Sequence, residues 1–162
     1  MEKISQLKIL IIGLRGLGVE IAKDIIVSGP NKITIFDQNE VKIKDLGSNF
    51  DLSENDIGKR RDQACLEKLQ KLNKYVKVDH IKDINNLNEI DNLRGIIVEN
   101  YNVIVISEII SKKNILFLDS ISRENHISLI YSAIFGLTSF IFTDFGKFTI
   151  YDNIVLKKRN FL

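Results

Sequence analysis

Short apolar runs and one amphipathic stretch organise the first part of the chain. Residues 8–12 (KILII) end at Gly13, and such a continuous apolar run is typical of a parallel strand buried on both faces. From Leu17 the apolar positions recur at helical spacing until Gly29-Pro30, a pair that marks the end of a helix. The run KITIFD at 32–37 is again strand-like. The pattern predicts a βαβ unit with a right-handed crossover.

The middle of the chain is polar and less regular. No clear period runs from 38 to 56, and a loop of that length is more often functional than idle. The Asn-rich segment between the third and fourth predicted strands receives no assignment. The remaining predictions for this part are a helix over 59–72, a strand over 76–81, a strand over 96–98, a helix over 101–112 and a strand over 115–118.

The pattern changes at Ile127. The runs ISLIYSAIFG, SFIFTDFG and KFTIYD are aromatic and β-branched and are separated by glycine-containing turns. They predict an antiparallel or mixed extension of the sheet. Because the chain shows no internal repeat and no low-complexity linker, we expect residues 1–162 to form a single α/β domain with a mainly parallel sheet flanked by helices.

Composition narrows the classes of partner. Lys and Arg number 23 against 21 Asp and Glu, which leaves a net charge of +2, too small to imply nucleic acid or an anionic membrane as partner. No apolar stretch reaches the ~20 residues that span a bilayer, and no signal-peptide core opens the chain. Cys65 is the only cysteine, which fits a reducing compartment. With His80 and His126 as the only histidines, far apart, we expect no metal site.

A glycine-rich turn carries the chemical signal. Gly13, Gly16 and Gly18 lie between the first predicted strand and helix, where small residues let the backbone approach a phosphate at the helix N-terminus. Asp37 follows the second strand about 20 residues later, where an acidic side chain accepts hydrogen bonds from ribose hydroxyls. These residues predict a Rossmann-like nucleotide site. The alternative is that the glycines serve only tight packing of helix against strand.

The same residues carry a family resemblance. The run ILIIGLRGLGVEIAKDIIVSGPNKITIFDQNEV, with DLGSNFDLSENDIGKRR and KLQKLNKYVKV, resembles the opening adenylation-type repeat of ubiquitin-activating enzymes. It is similar, less closely, to the small subunit of the SUMO-activating enzyme, in a superfamily shared with bacterial sulfur-carrier adenylyltransferases. The likeness runs from Leu7 to Val78 and resumes from Ile115 to Asp152.

This chain departs from the active members of that superfamily at the positions that handle ATP. Active adenylation domains resemble one another in a glycine turn, an acid after the second strand, an Asn and an Arg in an S-N-L-x-R-Q segment, a Lys and a later Asp. Those groups supply magnesium ligands and positive charge while a carboxylate attacks the α-phosphate. Here Asp45 replaces the Asn, Ser48 the Arg and Arg61 the Lys, and Arg15 stands where glycine is usual. The later Asp has only Glu99 or Asn100 nearby, and neither is given a role.

The resemblance therefore implies the inactive repeat of a ubiquitin-activating enzyme. It implies no catalytic residue, a vestigial nucleotide site at Gly13, Gly16, Gly18 and Asp37, and no cofactor held by this chain, with ATP and magnesium belonging to the parent enzyme. The implied partners are the active adenylation repeat and, through the parent, ubiquitin or a ubiquitin-like protein, in cytoplasm and nucleus. The chain is expected to be a fragment of a larger protein, with a much reduced protein as the alternative; whether it continues past Leu162 is left open.

Two further expectations concern single residues. Phe50 and Leu52 are too apolar for an idle loop, so we predict that they contribute to a pairing interface, with self-association of the isolated chain as a homodimer. Cys65 shares a predicted helix face with Leu69 and Leu72, so it is expected in the core and not as a thioester cysteine.

Two alternatives remain at this point. A small NAD-dependent oxidoreductase would use Gly13, Gly16, Gly18 and Asp37 as a dinucleotide site, although 162 residues leave little room for a substrate domain. A free-standing module that binds a nucleotide or a partner as a sensor is the other.

Overall fold

The computed structural model describes residues 4–82, 90–146, 148–151 and 154–157. Three short 3-10 helices cover Ile4–Gln6, Ile43–Gly47 and Glu54–Asp56. The α-helices are α1 (Gly16–Ser28), α2 (Arg61–Leu72), α3 (Ile90–Asn100) and α4 (Lys112–Glu124). The strands are β1 (Lys8–Ile12), β2 (Lys32–Phe36), β3 (Lys77–His80), β4 (Val103–Ile106), β5 (Ser128–Phe135), β6 (Thr138–Asp144), β7 (Phe148–Tyr151) and β8 (Ile154–Lys157).

One six-stranded sheet organises the molecule, in the order β3-β2-β1-β4-β5-β6. Every neighbouring pair in it is parallel except β5 and β6, which are antiparallel, and β7 and β8 form a separate antiparallel pair. The predicted α/β fold, with a parallel sheet and an antiparallel extension, is confirmed. Strand order reverses between β1 and β4, and in open α/β sheets ligands bind at the carboxyl ends of the strands beside such a point.

Two apolar cores cover the two faces of the sheet. Alternate side chains of β1 divide between them, with Ile9 and Ile11 in one core and Leu10 and Ile12 in the other. The first core receives α1 and α2 through residues such as Ile26 and Leu69, and the second receives α3 and α4. Because β1 is buried from both sides, its sequence is continuously apolar, as the pattern indicated.

The first βαβ unit forms where the sequence predicts it. β1 and β2 pair in parallel, and α1 ends at Gly29, whose φ of 79° is the left-handed cap that favours glycine. The predicted helix over 59–72 and the predicted strand over 76–81 correspond to α2 and β3, each beginning one or two residues later.

Three sequence assignments beyond β3 are wrong. Residues 96–98 lie in α3 and not in a strand, 101–112 contain β4 and not a helix, and 115–118 lie in α4 and not in a strand. The run VIVI is as continuously apolar as β1, and its last three residues are buried. α4 begins after Ser111, whose hydroxyl accepts a hydrogen bond from the Asn114 amide at 3.2 Å. This serine N-cap was the overlooked helix signal.

The loop between β2 and α2 is folded tightly rather than extended. It contains two of the 3-10 helices, and residues 40 and 60 form an isolated antiparallel bridge at its base. The loop thereby returns to the carboxyl ends of β1 and β2, beside the glycine turn. Among the described residues, no helix is both long enough and apolar enough to cross a membrane.

Candidate functional site

The glycine turn is crowded by the chain's own residues. A Cβ built on Gly13 would lie 2.5 Å from the Glu108 Cβ, and one on Gly18 would lie 2.1 Å from the Gly13 carbonyl oxygen. A Cβ on Gly16 would lie 2.8 Å from the Ser48 carbonyl oxygen. Gly13 also has a φ of 91°, which disfavours any side chain. These glycines are needed because other parts of the same chain pack against them, as the packing alternative expects.

Asp37 directs its carboxylate inward. It is almost fully buried, and its Oδ2 accepts a hydrogen bond from the Leu14 amide at 2.8 Å. Its Oδ1 accepts from the Asn39 amide at 3.0 Å and from the Asn39 side chain at 3.1 Å. Oδ2 also forms an ion pair with Arg61. The oxygens that the sequence assigns to ribose hydroxyls are therefore already engaged within the chain.

Arg61 is the counterion of this cluster. Its side chain is 1% exposed, and besides Asp37 its Nε lies 3.4 Å from Asp45 Oδ2. Its Nη1 lies 4.0 Å from Glu108 Oε2. A buried charge is tolerated only when it is paired, and this guanidinium is surrounded by carboxylates of its own chain. The cation is thereby used for folding and not presented to a ligand.

Asp45 and Ser48 hold the loop in place. The Asp45 carboxylate accepts a hydrogen bond from the Lys42 amide at 2.9 Å and lies beside Arg61, while the Ser48 hydroxyl lies 3.4 Å from the Asp45 carbonyl oxygen. Ser48 also covers Gly16. The structure thus brings both predicted degenerate positions to the glycine turn.

Arg15 lies at the start of α1. It is the N-cap residue, in an extended conformation with φ of −72°, and it is exposed. Its positive charge acts on Glu108, whose pKa it holds down in part. The expectation that its side chain narrows a phosphate position stays a prediction.

Glu108 is the site residue that the sequence analysis missed. It follows β4 and covers Gly13, and its Oε1 accepts a hydrogen bond from the Asn39 side chain at 3.2 Å. Burial raises the pKa of Glu108 and Asp37 raises it further, while Arg61 and Arg15 oppose the rise. The preceding Ser107 donates its hydroxyl to the Gly13 carbonyl oxygen at 2.7 Å.

The two residues nearest the position of the family's later Asp, which received no role, lie in α3. Glu99 and Asn100 belong to the last turn of α3, and the Asn100 side chain donates to the Ile96 carbonyl oxygen at 2.9 Å. Glu108 was overlooked because the VIVI run was assigned to a helix. The run is a parallel strand beside β1, so the residues that follow it lie at the glycine turn. Glu108 is the acidic residue at that position.

Phe50 and Leu52, predicted to share an interface, separate in the structure. Phe50 is 83% exposed, whereas Leu52 is 8% exposed and packs in the core with α1 and α2. The proposal for Leu52 is therefore corrected, since a leucine inside the core has no surface to offer. The other exposed large apolar residues of this loop are Ile43 and Ile57.

Cys65 lies in the core, as expected. Its side chain is buried, the Asn49 side chain donates to its Sγ at 3.4 Å, and burial raises the pKa of the thiol to about 11. Such a thiol is a poor nucleophile at neutral pH. Within the described ranges no group of three or more His, Cys, Asp or Glu is arranged to hold a metal ion.

Comparison with known proteins identifies the family. The model of the ThiF family matches residues 1–159. The "Ubiquitin-activating enzyme E1 1" of Candida albicans is 39% identical over 153 residues, covering 94% of this chain and 14% of the relative. The corresponding wheat (Triticum aestivum) protein is 37% identical over 154 residues, covering 94% of this chain and 14% of the relative.

A shorter relative and a solved structure agree. The "SUMO-activating enzyme subunit 1" of Dictyostelium discoideum is 31% identical over 146 residues, covering 90% of this chain and 42% of that one. Escherichia coli MccB, solved with succinimide, shares the fold with a TM-score of 0.69 at 21% identity, over 82% of this chain and 38% of its own. The chain spans 14% of the length of the ubiquitin-activating relatives. It belongs to the ThiF family, as an adenylation-type domain like those of ubiquitin-activating enzymes.

Proposed function

We propose that this chain is the non-catalytic adenylation domain of a ubiquitin-activating enzyme. In this role it is the structural partner of an active adenylation domain, in an enzyme that uses ATP and magnesium to activate ubiquitin. The chain itself holds no nucleotide and performs no chemical step. The proposed location is the cytoplasm and nucleus, where ubiquitin is conjugated.

One observation supports this role above the others: the polar groups of the glycine turn are engaged within the chain. Asp37 accepts from the Leu14 amide and pairs with Arg61, and Glu108 covers Gly13. A nucleotide would have to displace these contacts and leave a buried charge without its partner. Removing one member of a buried pair costs on the order of 3–5 kcal/mol.

The charge of the cluster also opposes a triphosphate. Three carboxylates, those of Asp37, Asp45 and Glu108, surround the single guanidinium of Arg61. Sites for phosphoryl chemistry need positive charge where negative charge accumulates, and removal of one such contact typically costs about 100 to 1000-fold in rate. The residues present therefore do not fit the triphosphate of ATP.

The relatives support a role in a paired assembly. The matched proteins are named as enzymes that activate ubiquitin or SUMO, and this chain covers only a small part of each ubiquitin-activating relative. A domain of this family that lacks its own chemistry retains a function if it completes the architecture around a second, active domain. We propose that Phe50, with the exposed apolar residues beside it, contributes to that contact.

Exchange of pyrophosphate into ATP tests the catalytic half of this proposal. The purified chain is incubated with ubiquitin, MgATP and labelled pyrophosphate, with a complete ubiquitin-activating enzyme from Candida albicans as positive control. We expect exchange no higher than in a reaction without enzyme. Exchange above that level, dependent on ubiquitin, would refute the proposal.

Binding in trans tests the structural half. The labelled chain is titrated with the active adenylation domain of the same enzyme and followed by sedimentation, with Phe50→Lys as the interface variant. We expect a complex that the variant weakens. Failure of the wild-type chain to bind would contradict the partner role.

The SUMO-related alternative rests on the Dictyostelium relative, which is 31% identical. It is separated by offering the reconstituted enzyme either ubiquitin or SUMO and measuring thioester formation. Preference for ubiquitin supports the proposed function, and preference for SUMO supports the alternative.

A further inference from the structure

The first residues of three neighbouring strands form a row of lysines across the sheet. β1 begins at Lys8, β2 at Lys32 and β3 at Lys77. In the parallel register Lys8 lies beside Lys32, and Lys32 lies beside Lys77. Because adjacent strands are about 4.8 Å apart, the three Cα atoms lie within about 10 Å of one another. We call these three residues the lysine row.

All three lysines belong to the face of the sheet that α3 and α4 cover. Successive side chains of a strand point to opposite faces. The residues that follow the row are Ile9, Ile33 and Val78, and they lie in the core under α1 and α2. The Lys32 ammonium group accordingly lies 5.9 Å from the centre of the Tyr101 ring, which belongs to the other core. The row therefore presents its charges together, on one side of the sheet.

None of the three ammonium groups has an ion-pair partner in the described part of the chain. The ion pairs found there use other lysines and arginines. Lys8 and Lys77 are exposed, and Lys32 is partly buried. Asp79 follows Lys77 by two residues on the same face and is absent from those ion pairs as well. Three positive charges are thus placed side by side without a counterion from the described residues.

Such an arrangement opposes folding, because like charges placed opposite each other on adjacent strands destabilise a sheet. Charges on edge strands prevent another strand from pairing, but β1 and β2 lie inside the sheet, where their lysines do not serve that purpose. Lys32 lies beside Tyr101, at the C-terminal end of α3, where a positive charge is favourable. That contact accounts for one lysine of the row. Carboxylates brought to the row would remove the repulsion among all three.

We propose that the lysine row binds an extended acidic segment of another protein, with aspartate or glutamate side chains facing the three ammonium groups. A segment laid across the strands meets the row over about 10 Å, which is the length of about three extended residues. A lysine ammonium group binds a carboxylate as a point charge, so the row demands no fixed side-chain geometry from its partner. The partner is therefore defined by a short run of acidic residues.

The surroundings of the row favour carboxylates over phosphates and nucleic acid. Phosphate sites draw on the free backbone amides of a helix N-terminus, whereas the helix end beside Lys32 is the C-terminus of α3. Proteins that bind single-stranded nucleic acid stack its bases on exposed aromatic rings. The Tyr101 ring beside the row is only 6% exposed, so it offers no such platform. A carboxylate requires neither feature.

Fluorescence anisotropy of labelled hexaglutamate, titrated with the full chain at low ionic strength, tests the binding. Hexaglutamine is the uncharged control peptide. We expect saturable binding of hexaglutamate that weakens as salt is added, because 0.1 M salt screens exposed charges beyond about 10 Å. The triple change Lys8→Gln, Lys32→Gln and Lys77→Gln should weaken this binding by on the order of 100-fold, since each exposed ion pair contributes up to about fivefold.

A matched triple variant removes the same net charge at the other end of the sheet. Lys44, Lys112 and Lys113 are exposed and follow the carboxyl ends of β2 and β4. Lys44→Gln, Lys112→Gln and Lys113→Gln together should leave hexaglutamate binding unchanged. Replacing every lysine of the row by arginine should preserve the binding, because the positive charges remain. Thermal melts establish that all three variants fold.

Four results would overturn the acidic-segment proposal. Hexaglutamate could bind no more tightly than hexaglutamine, or the glutamine variants of the row and of the control site could weaken binding equally. The glutamine variant of the row could instead lose thermal stability and bind hexaglutamate as the wild type does, which would leave the lysines a structural role only. Tighter binding of an oligothymidylate through the same lysines would assign the row to single-stranded nucleic acid. These assays contain neither ATP nor ubiquitin, so failure here leaves the proposed function intact.

Discussion

Two regions of the main sheet, the carboxyl ends of its central strands and its β5–β6 edge, differ in how their side chains are paired and exposed. At the carboxyl ends of β1, β2 and β4, polar and charged groups meet and bind one another, so that Asp37 and Arg61 are buried as a pair. At the far edge, the β5–β6 ribbon leaves aromatic and aliphatic side chains exposed. The first region resembles a ligand site in sequence, and in the structure its polar groups contact one another. The second has no ligand-site motif and is open.

Under the proposed function, a fold that can bind a small molecule serves to bind a protein instead. The groups that meet at the glycine turn all come from the same chain: a loop brings Asp45, and Glu108 follows β4. The exposed apolar side chains of the β5–β6 ribbon form the surface that contrasts with the glycine turn.

Replacement of the buried cation should have the largest effect. Arg61→Ala leaves the carboxylates of Asp37 and Asp45 buried without their counterion, which is expected to lower the free energy of unfolding by about 3–5 kcal/mol. Urea denaturation followed by circular dichroism measures it. Arg94→Ala is the control, because Arg94 pairs with Glu124 on the surface, where such pairs contribute about 0–1 kcal/mol. Equal losses for the two variants would show that the cluster is not closed.

A methyl group at the glycine turn should have the next largest effect. In Gly18→Ala the new Cβ meets the Gly13 carbonyl oxygen and the Ser107 hydroxyl at 2.1 and 2.4 Å, and overpacking of this kind costs about 1–3 kcal/mol. Gly47→Ala is the control, since nothing lies within 4 Å of its Cβ position. If both variants unfold at the same urea concentration, the turn can accommodate a methyl group at Gly18, contrary to the structure.

The Cys65 thiol gives an effect that appears only at alkaline pH. Burial raises its pKa from an ordinary 9.0 to about 11 in the folded chain, so between these values the unfolded chain loses its proton first. The stability that the neutral, buried thiol contributes is intact below pH 9. Roughly 2–3 kcal/mol of the free energy of unfolding is lost as the pH rises from 9 to about 11. Cys65→Ala should lack this component of the alkaline decline. Identical pH profiles for the two proteins would contradict the burial of the thiol.

Sequence reasoning worked where one local signal sufficed. Three local signals were enough for correct predictions. They are the continuous apolar run of β1, the glycine that caps α1, and the apolar helix face that carries Cys65. It failed at β4 and α4, where short apolar runs have no period long enough to separate strand from helix. Glu108 was lost with β4, because only the pairing of β4 with β1 brings it to the glycine turn.

Charge removal at the glycine turn should give the smallest effect, with a defined sign. Burial and Asp37 raise the pKa of Glu108, so its ionisation costs stability as pH rises above the ordinary range of a glutamate. Glu108→Gln keeps the acceptor for Asn39 and removes the charge. We expect it to be slightly more stable than wild type at pH 7, with no gain at pH 3. A loss of stability at pH 7 would show that the Glu108 charge is needed by Arg61.

Calorimetric titration of MgATP into the purified chain tests most directly whether the glycine turn is closed. NADH serves as a second titrant, because the same turn in an oxidoreductase would bind a dinucleotide. The account predicts no saturable heat in the low micromolar range for either nucleotide, since Asp37 and Arg61 are engaged with each other and Glu108 covers Gly13. A low-micromolar dissociation constant for MgATP would contradict it.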